Sequence, residues 1–160
     1  MRQASATGLR TLLCSAPRGA AIVEFALILP VLALLVVGLC DLGVGLWQSI
    51  RVQAAAEAGA QYAALHPDPW DAAKLAAITA AVTGATGASG IAATPPPSEV
   101  YGCPDRGTLT IVASTVTCPS GSPPGIYASV SAQLAYVSVL PYPGLPSPLT
   151  LTGQAYRRIQ

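Results

Sequence analysis

The chain divides into stretches that differ in how apolar and polar positions alternate. An apolar run covers residues 20–46 and contains two acids, Glu24 and Asp41. Because about 20 apolar residues in a helix cross a hydrocarbon layer of roughly 30 Å, this run predicts one membrane-spanning helix. Alanine-rich sequence without proline follows to Leu65, which predicts that the helix continues outside the membrane over residues 47–66.

The extension of the helix is expected to have one apolar face. Apolar side chains recur there every three or four positions, which is the spacing of one side of a helix. The members of the predicted face are Trp47, Ile50, Ala54, Ala58, Tyr62 and Leu65. Trp47 is expected at the membrane interface, where indole rings are favoured. Pro30 removes one backbone donor and is expected to bend the helix inside the membrane, where such bends are tolerated.

A short helix and a linker are predicted over residues 67–98. His66 precedes a proline and is expected to end the long helix, because a residue before proline disfavours helical angles. Asp68 is the predicted N-cap of the short helix, and Gly84 is its predicted end. Residues 83–98 are rich in Gly, Ala, Thr and Pro, and this composition favours a linker.

The last part of the chain, residues 99–160, changes to an alternating pattern. Apolar and polar side chains alternate over residues 109–114, 126–136 and 149–152, and this period predicts strands. A small antiparallel sheet has too little apolar surface to fold alone, so we expect it to pack against the helix extension. The predicted fold class is α+β, with a long N-terminal transmembrane helix that extends into a small antiparallel β-sheet domain.

Two cysteines flank the first of these predicted strands. Cys103 and Cys118 would close a loop of about 15 residues, and in an oxidising compartment a disulfide there contributes on the order of 3 kcal/mol. Two unpaired thiols are the alternative. Cys14 falls in the N-terminal residues 1–19, and Cys40 falls in the apolar run.

Composition favours a membrane protein with a structural role. The chain is 52% hydrophobic and 9% charged, with a mean hydropathy of +0.53 and a net charge of +1. Such a charge offers no reason to expect nucleic-acid binding. A single histidine and the absence of a CxxC pair argue against a metal site. No nucleophile elbow or phosphate-binding glycine loop occurs, so we expect no enzyme activity, cofactor or small-molecule substrate.

Glu24 is the residue that most needs an explanation. A carboxylate inside a bilayer costs on the order of 2.5 to 3.5 kcal/mol and usually faces a partner or marks a function. Residues 1–19 carry arginines and no acid, which predicts a basic leader that stays in the cytoplasm. A cut between Gly19 and Ala20 would create a free α-amine one helical turn from the carboxylate of Glu24, or close to that of a neighbouring helix.

The same residues resemble a known family. Gly19, Glu24 and Phe25 have the spacing of a prepilin-peptidase site, and the stretch from Ala20 to Pro30 is similar to the N-terminus of TadE-like pseudopilins of the tight-adherence (Flp-type) pilus machinery. The resemblance covers the chain from about Arg18 to Leu65. The resemblance implies cleavage after Gly19 by a membrane prepilin peptidase. It also implies a membrane location and assembly with other pilin or pseudopilin subunits and pilus-assembly proteins.

Two alternative interpretations accept the apolar run but differ in whether and where the chain is cleaved. In the first alternative, the apolar run is a signal anchor that is not cleaved. The chain is then a single-pass, membrane-anchored periplasmic scaffold or adhesion-assembly protein. In the second, Ala54-Ala55-Ala56 is a signal-peptidase site, although the apolar run is long for a secretion signal. If the chain is instead a pilin-like subunit, its N-terminus is cytoplasmic and its C-terminal domain is periplasmic or extracellular.

Overall fold

The computed structural model of the chain describes residues 17–66, 68–105, 107–139 and 147–159. Most of the predicted leader therefore lies outside the described residues. Within the described ranges the chain forms two helices and four strands, which are α1 (Pro17–Leu65), α2 (Ala72–Gly84), β1 (Ser98–Asp105), β2 (Thr108–Val112), β3 (Gly125–Tyr136) and β4 (Leu149–Arg158).

The chain separates into two compact units, Met1–Leu42 and Gly43–Gln160. The described part of the first unit is helical and contains the N-terminal half of α1. The second unit contains the rest of α1 together with α2 and all four strands. We call the second unit the folded unit.

The long helix predicted from residue 20 to Leu65 is confirmed as α1, which begins slightly earlier, at Pro17. Proline is favoured in the first turn of a helix, because its missing N–H has no helical partner there. The segment Ala21–Leu65 is long and apolar enough to cross a membrane. Pro30 lies inside the helix, as the sequence predicts.

The apolar face predicted for the helix extension is only partly buried: Ala58 and Tyr62 are half-buried and Tyr62 packs against the core, whereas the other members are exposed. Trp47, Ile50 and Leu65 are 57%, 68% and 69% exposed. The face that is fully buried instead consists of small side chains, namely Val52, Ala55, Ala56, Ala60 and Ala63. Both faces have helical spacing, but only the small residues let another layer approach the helix axis closely.

The predicted N-cap of α2 is also wrong. Asp71, rather than Asp68, precedes the helix with extended backbone angles, and its Oδ1 accepts a hydrogen bond of 2.8 Å from the Lys74 N–H. This is the geometry by which an aspartate satisfies one of the free N–H groups of the first turn. The aliphatic stem of Lys74 is buried, and its Nζ donates to the Asp68 carbonyl oxygen at 2.9 Å. Asp68 therefore contributes a main-chain acceptor to this end of α2.

The four strands form one antiparallel sheet in the order β2-β1-β3-β4. The α+β class is therefore confirmed. The alternation predicted over residues 126–136 corresponds to β3, in which Ala128, Val130 and Ala132 are fully buried and the residues between them are half-buried. The sequence did not predict β1, because Gly102 and Pro104 interrupt its alternation.

The core of the folded unit lies between the sheet, the small-residue face of α1 and one side of α2. Ile78 and Val82 of α2 and Val130 of β3 are its largest fully buried side chains, together with Val52 of α1. The expectation that the sheet packs on the helix extension is therefore confirmed. The segment predicted as a linker contributes Ile91, which is 5% exposed, to the same core.

Candidate assembly helix and its attachment to the sheet

The predicted processing residues lie in the first turns of α1. Gly19 is exposed and helical, and the backbone of Ala20 is helical as well. The first N–H groups of a helix have no intrahelical acceptor, so this turn opens at little cost. Residues 20 and 24 are about 6 Å apart along the axis of a regular helix. The backbone therefore places the nitrogen of residue 20 one turn from the residue that carries the acid.

Glu24 lies on an exposed apolar surface. Its neighbours Val23 and Phe25 are 61% and 60% exposed, and Glu24 is exposed as well. Pro30 is exposed two turns further along the same helix. Asp41, the second acid of the apolar run, differs because only 5% of its surface is exposed. Of the two acids in this run, Glu24 is thus the one that is accessible to another molecule.

Trp47 and Arg51 contact each other on α1 about one helical turn apart. The guanidinium carbon of Arg51 lies 4.7 Å from the centre of the Trp47 ring, and its Nη2 donates to the Thr86 carbonyl oxygen at 2.8 Å. These contacts explain why an arginine lies close to the apolar side chains of the helix. The position of Trp47 relative to a bilayer stays a prediction.

Gly153 lets the helix and the sheet approach each other at backbone distance, and Gly59 makes room on α1 for side chains of β3 and α2. A Cβ built on Gly153 of β4 would lie 2.7 Å from the Val52 carbonyl oxygen and 2.8 Å from the Gln53 nitrogen. A Cβ built on Gly59 of α1 would lie 2.9 Å from Val130 Cγ1. Neither site has space for a larger residue, so these glycines determine how closely α1 approaches the sheet.

Gln53 extends the hydrogen bonding of the sheet onto the helix. Its Nε2 donates to the Gln154 carbonyl oxygen at 3.1 Å, and its Oε1 accepts from the Gln154 N–H at 3.1 Å. Because β4 is an edge strand, these two backbone groups face away from β3. The side-chain amide thus pairs with one residue of an otherwise open edge, as a neighbouring strand would.

The predicted disulfide is present. Cys103 of β1 and Cys118, in the turn after β2, are bonded and have a Cα–Cα distance of 5.5 Å. Both side chains are buried. The bond ties the chain after the edge strand β2 to the strand beside it. Cys40 is an exposed free cysteine in the apolar part of α1.

The folded unit contains a shallow pocket of about 280 Å³ on the sheet. Hydroxyl, amide and small side chains line it, contributed by residues 94–95, 131–133 and 152–154. Among the described residues, no group of three or more His, Cys, Asp or Glu side chains lies close enough together to hold a metal ion. The pocket thus lacks the titratable groups that acid–base catalysis uses.

Sequence reasoning missed the residues that attach α1 to the sheet. Gly59 and Gly153 stand among residues with clear helix and strand patterns, and a glycine in such a place often marks a close backbone approach. That signal was available. The role of Gln53 was not, because it depends on which residue of β4 lies beside the helix.

These features define a class of protein, with one N-terminal helix that can span a membrane and a small α+β unit in which one face of the C-terminal part of this helix is buried. Residues 19–61 match the family model described as TadE-like protein, which confirms the resemblance for this N-terminal segment. No curated protein and no solved structure matches the chain. The family is one of pilus structure and assembly.

Proposed function

We propose that the chain is a minor pilin-like subunit, a pseudopilin, of a tight-adherence pilus or a related secretion system. The observation that carries the proposal is the exposed carboxylate of Glu24, which lies on an apolar helix within the TadE-like segment. A charge at this position is costly in lipid unless another group compensates it. An assembly partner with a positive group would provide that compensation.

The partner group is an N-terminal amine made by cleavage after Gly19. A prepilin peptidase removes the basic leader, and Ala20 becomes the first residue of the mature chain. In a continuous helix this amine would lie one turn from its own Glu24, and a parallel helix packed alongside would bring the same acid of a neighbour within reach. Pairing two charges in a low-dielectric environment is favourable only when their geometry is good.

This geometric requirement makes Glu24 a determinant of register. A slip of one residue between two helices moves the carboxylate by about 1.5 Å along the axis and turns it by roughly 100°. The acid would then face lipid instead of the amine. Phe25 and Pro30 shape the same apolar surface, Phe25 by its bulk and Pro30 by removing a backbone donor. The role of the chain is therefore assembly rather than catalysis.

The orientation follows from charge and redox chemistry. The arginines of residues 1–19 hold the N-terminus in the cytoplasm, residues 20–46 cross the membrane, and the folded unit is extracytoplasmic. The Cys103–Cys118 bond supports this assignment, because disulfides persist in oxidising compartments. The partners are the membrane, the peptidase, other pilin or pseudopilin subunits and pilus-assembly proteins.

N-terminal sequencing of the protein recovered from membranes tests the cleavage. The pseudopilin proposal expects Ala20 as the first residue in cells with an active prepilin peptidase. Recovery of Met1, or of a residue near it, would instead identify an uncleaved anchor that never enters a filament. Deleting the peptidase gene serves as the control, because it should restore the longer chain.

The variant Glu24→Gln tests the carboxylate. Removing the charge should leave membrane insertion intact and lower co-purification of other pilin subunits about tenfold, which corresponds to roughly 1.4 kcal/mol. Glu57→Gln is the matched control, since it makes the same chemical change on an exposed acid of α1 in the folded unit. Undiminished co-purification with Glu24→Gln would reject the role in register.

A further inference from the structure

The folded unit has an exposed apolar surface where β3 ends. Val137 and Val139 follow the last residue of this strand and are 66% and 76% exposed. Single apolar residues are common on protein surfaces, so exposure alone assigns no role. The position of these two residues along α1 is what makes the exposure informative.

Within the folded unit, β3 runs alongside α1 in the opposite direction. A Cβ on Gly59 would lie 2.9 Å from Val130 Cγ1, and a Cβ on Gly45 would lie 3.5 Å from Tyr136 Cε1. An extended strand covers about 20 Å from Val130 to Tyr136. A helix covers about 21 Å from Gly59 back to Gly45. Because these lengths agree, β3 ends close to the level of Gly45.

A third contact lies between these two levels. Gly153 of β4 pairs with Ala132 of β3, and a Cβ on Gly153 would lie 2.7 Å from the Val52 carbonyl oxygen. Ala132 falls between Val130 and Tyr136, just as Val52 falls between the two glycines of α1. As residue numbers rise along β3, those of the contacted residues fall along α1, so the three contacts agree with one antiparallel run.

We propose that Val137 and Val139 insert into the interfacial layer of the bilayer that α1 crosses, and so form a second membrane contact of the folded unit. The inference rests on the proposed function, in which residues 20–46 span the membrane and Gly45 lies at the membrane surface. A strand that runs down α1 and ends at this level delivers the next residues to lipid.

A lipid surface is the occupant that the neighbouring residues indicate. At the same level α1 exposes Leu46 and Trp47, which are 60% and 57% exposed. Within the folded unit, α1 thus exposes large apolar side chains at the level of the two valines. Aromatic and aliphatic side chains at this depth are typical of groups that rest in the interfacial region. A contact away from the helix axis would restrain tilting of the folded unit.

Spin labels on the full chain test the proposal. A background with Cys14→Ser and Cys40→Ser leaves the Cys103–Cys118 disulfide intact, so that a label reacts only with an introduced cysteine. The protein is reconstituted in vesicles of phosphatidylcholine and phosphatidylglycerol. Power-saturation spectroscopy then compares collisions of each label with oxygen, which is enriched in lipid, and with a water-soluble nickel chelate.

Four positions give the comparison. Labels at Val137→Cys and Val139→Cys should have an oxygen-to-nickel collision ratio several-fold higher than a label at Val116→Cys. Val116 is the matched control, since it is an exposed valine in a turn that follows another strand. Leu32→Cys, in the middle of the apolar run, reports whether α1 itself is in the bilayer.

The outcomes separate the two proposals. Lipid exposure at Leu32 with water exposure at Val137 and Val139 would overturn the second contact and leave the spanning helix in place. Water exposure at Leu32 would overturn both. As a second measurement, Val139→Trp should gain fluorescence that brominated lipids quench, relative to the parent protein. Gain of fluorescence without quenching would contradict insertion.

Discussion

Replacing Gly153 by alanine should separate β4 from α1. The added methyl carbon would lie 2.7 Å from the Gln53 Cα, 2.7 Å from the Val52 carbonyl oxygen and 2.8 Å from the Gln53 nitrogen. All three are backbone atoms of the helix, so no change of side-chain rotamer can relieve the overlap. The strand must therefore move away from the helix.

The expected loss of stability has two parts. Forcing a methyl group into a close-packed contact costs about 1–3 kcal/mol. Moving β4 also breaks the two hydrogen bonds between Gln53 and Gln154, which contribute about 1 kcal/mol each. The sum is about 3–5 kcal/mol, a large share of the 5–15 kcal/mol that is typical of a folded domain. The folded unit should then be close to its limit of stability.

Thermal unfolding of the full chain in a mild detergent, followed by near-ultraviolet circular dichroism, measures this loss. Each kcal/mol of lost stability lowers the midpoint temperature of unfolding by about 4 °C, so a loss of 3 kcal/mol or more should lower it by about 12 °C or more. Gly84→Ala is the matched control, because a Cβ there meets no atom within 4 Å. It lies at the end of α2 and should leave stability unchanged or raise it by up to about 1 kcal/mol. A Gly153→Ala protein that melts with the parent would refute the backbone contact between β4 and α1.

Two further predictions concern α2 and the disulfide. Asp71→Ala should lower the free energy of unfolding by about 1 kcal/mol, because it removes the cap on the Lys74 N–H, whereas Asp68→Ala should have little effect. Equal losses for both in urea titrations would contradict the assigned cap. Replacing Cys103 and Cys118 together by alanine should cost on the order of 3 kcal/mol, while Cys40→Ala leaves the folded unit unchanged. Coincident melting curves of the double variant and the parent would contradict this role.

Elements that are specified by one clear local sequence pattern could be predicted from the sequence. The length of α1 follows from a long stretch with helix-forming residues that, between Pro17 and Pro67, has proline only at position 30. The strand β3 follows from a strict alternation, which a helix cannot use. The disulfide between Cys103 and Cys118 follows only on the condition of an oxidising compartment, because the other two cysteines fall in the leader and the apolar run. For α1 and β3 the local sequence carries enough information without knowledge of its neighbours.

Features that depend on a neighbour could not be predicted in the same way. Asp68 and Asp71 both precede α2 and both suit an N-cap, so the choice depends on which aspartate the packed chain places beside the Lys74 N–H. The strand β1 has Gly102 and Pro104 in place of an alternating pattern, and it is held in the sheet by pairing with β2 and β3. The strand β1 thus comes from tertiary contacts that override weak local preferences, whereas the cap depends on the residue at which α2 begins.

The difference between the predicted apolar face of α1 and its buried face has a general cause. Hydrophobicity placed Trp47, Ile50 and Leu65 on the predicted face, because they are large apolar side chains at helical spacing. The helix instead buries alanines and a valine, and the sheet and α2 supply the larger side chains, such as Val130 and Ile78. A bulky residue on the buried face would push the sheet outward and break the pairing of Gln53 with β4.

The volume of the apolar side chains, rather than their hydropathy, therefore distinguishes the part of α1 that is exposed from the part that packs against the sheet. Hydropathy identifies one apolar helix over Ala21–Leu65 and does not separate its parts. Large aliphatic side chains cover residues 27–37, where they remain exposed, whereas alanine and glycine dominate residues 54–60, where the sheet packs. Lipid accepts any apolar shape, because its chains are fluid, but a sheet requires a surface that matches it atom by atom. The change from leucine to alanine along α1 thus locates where the helix passes from one kind of contact to the other.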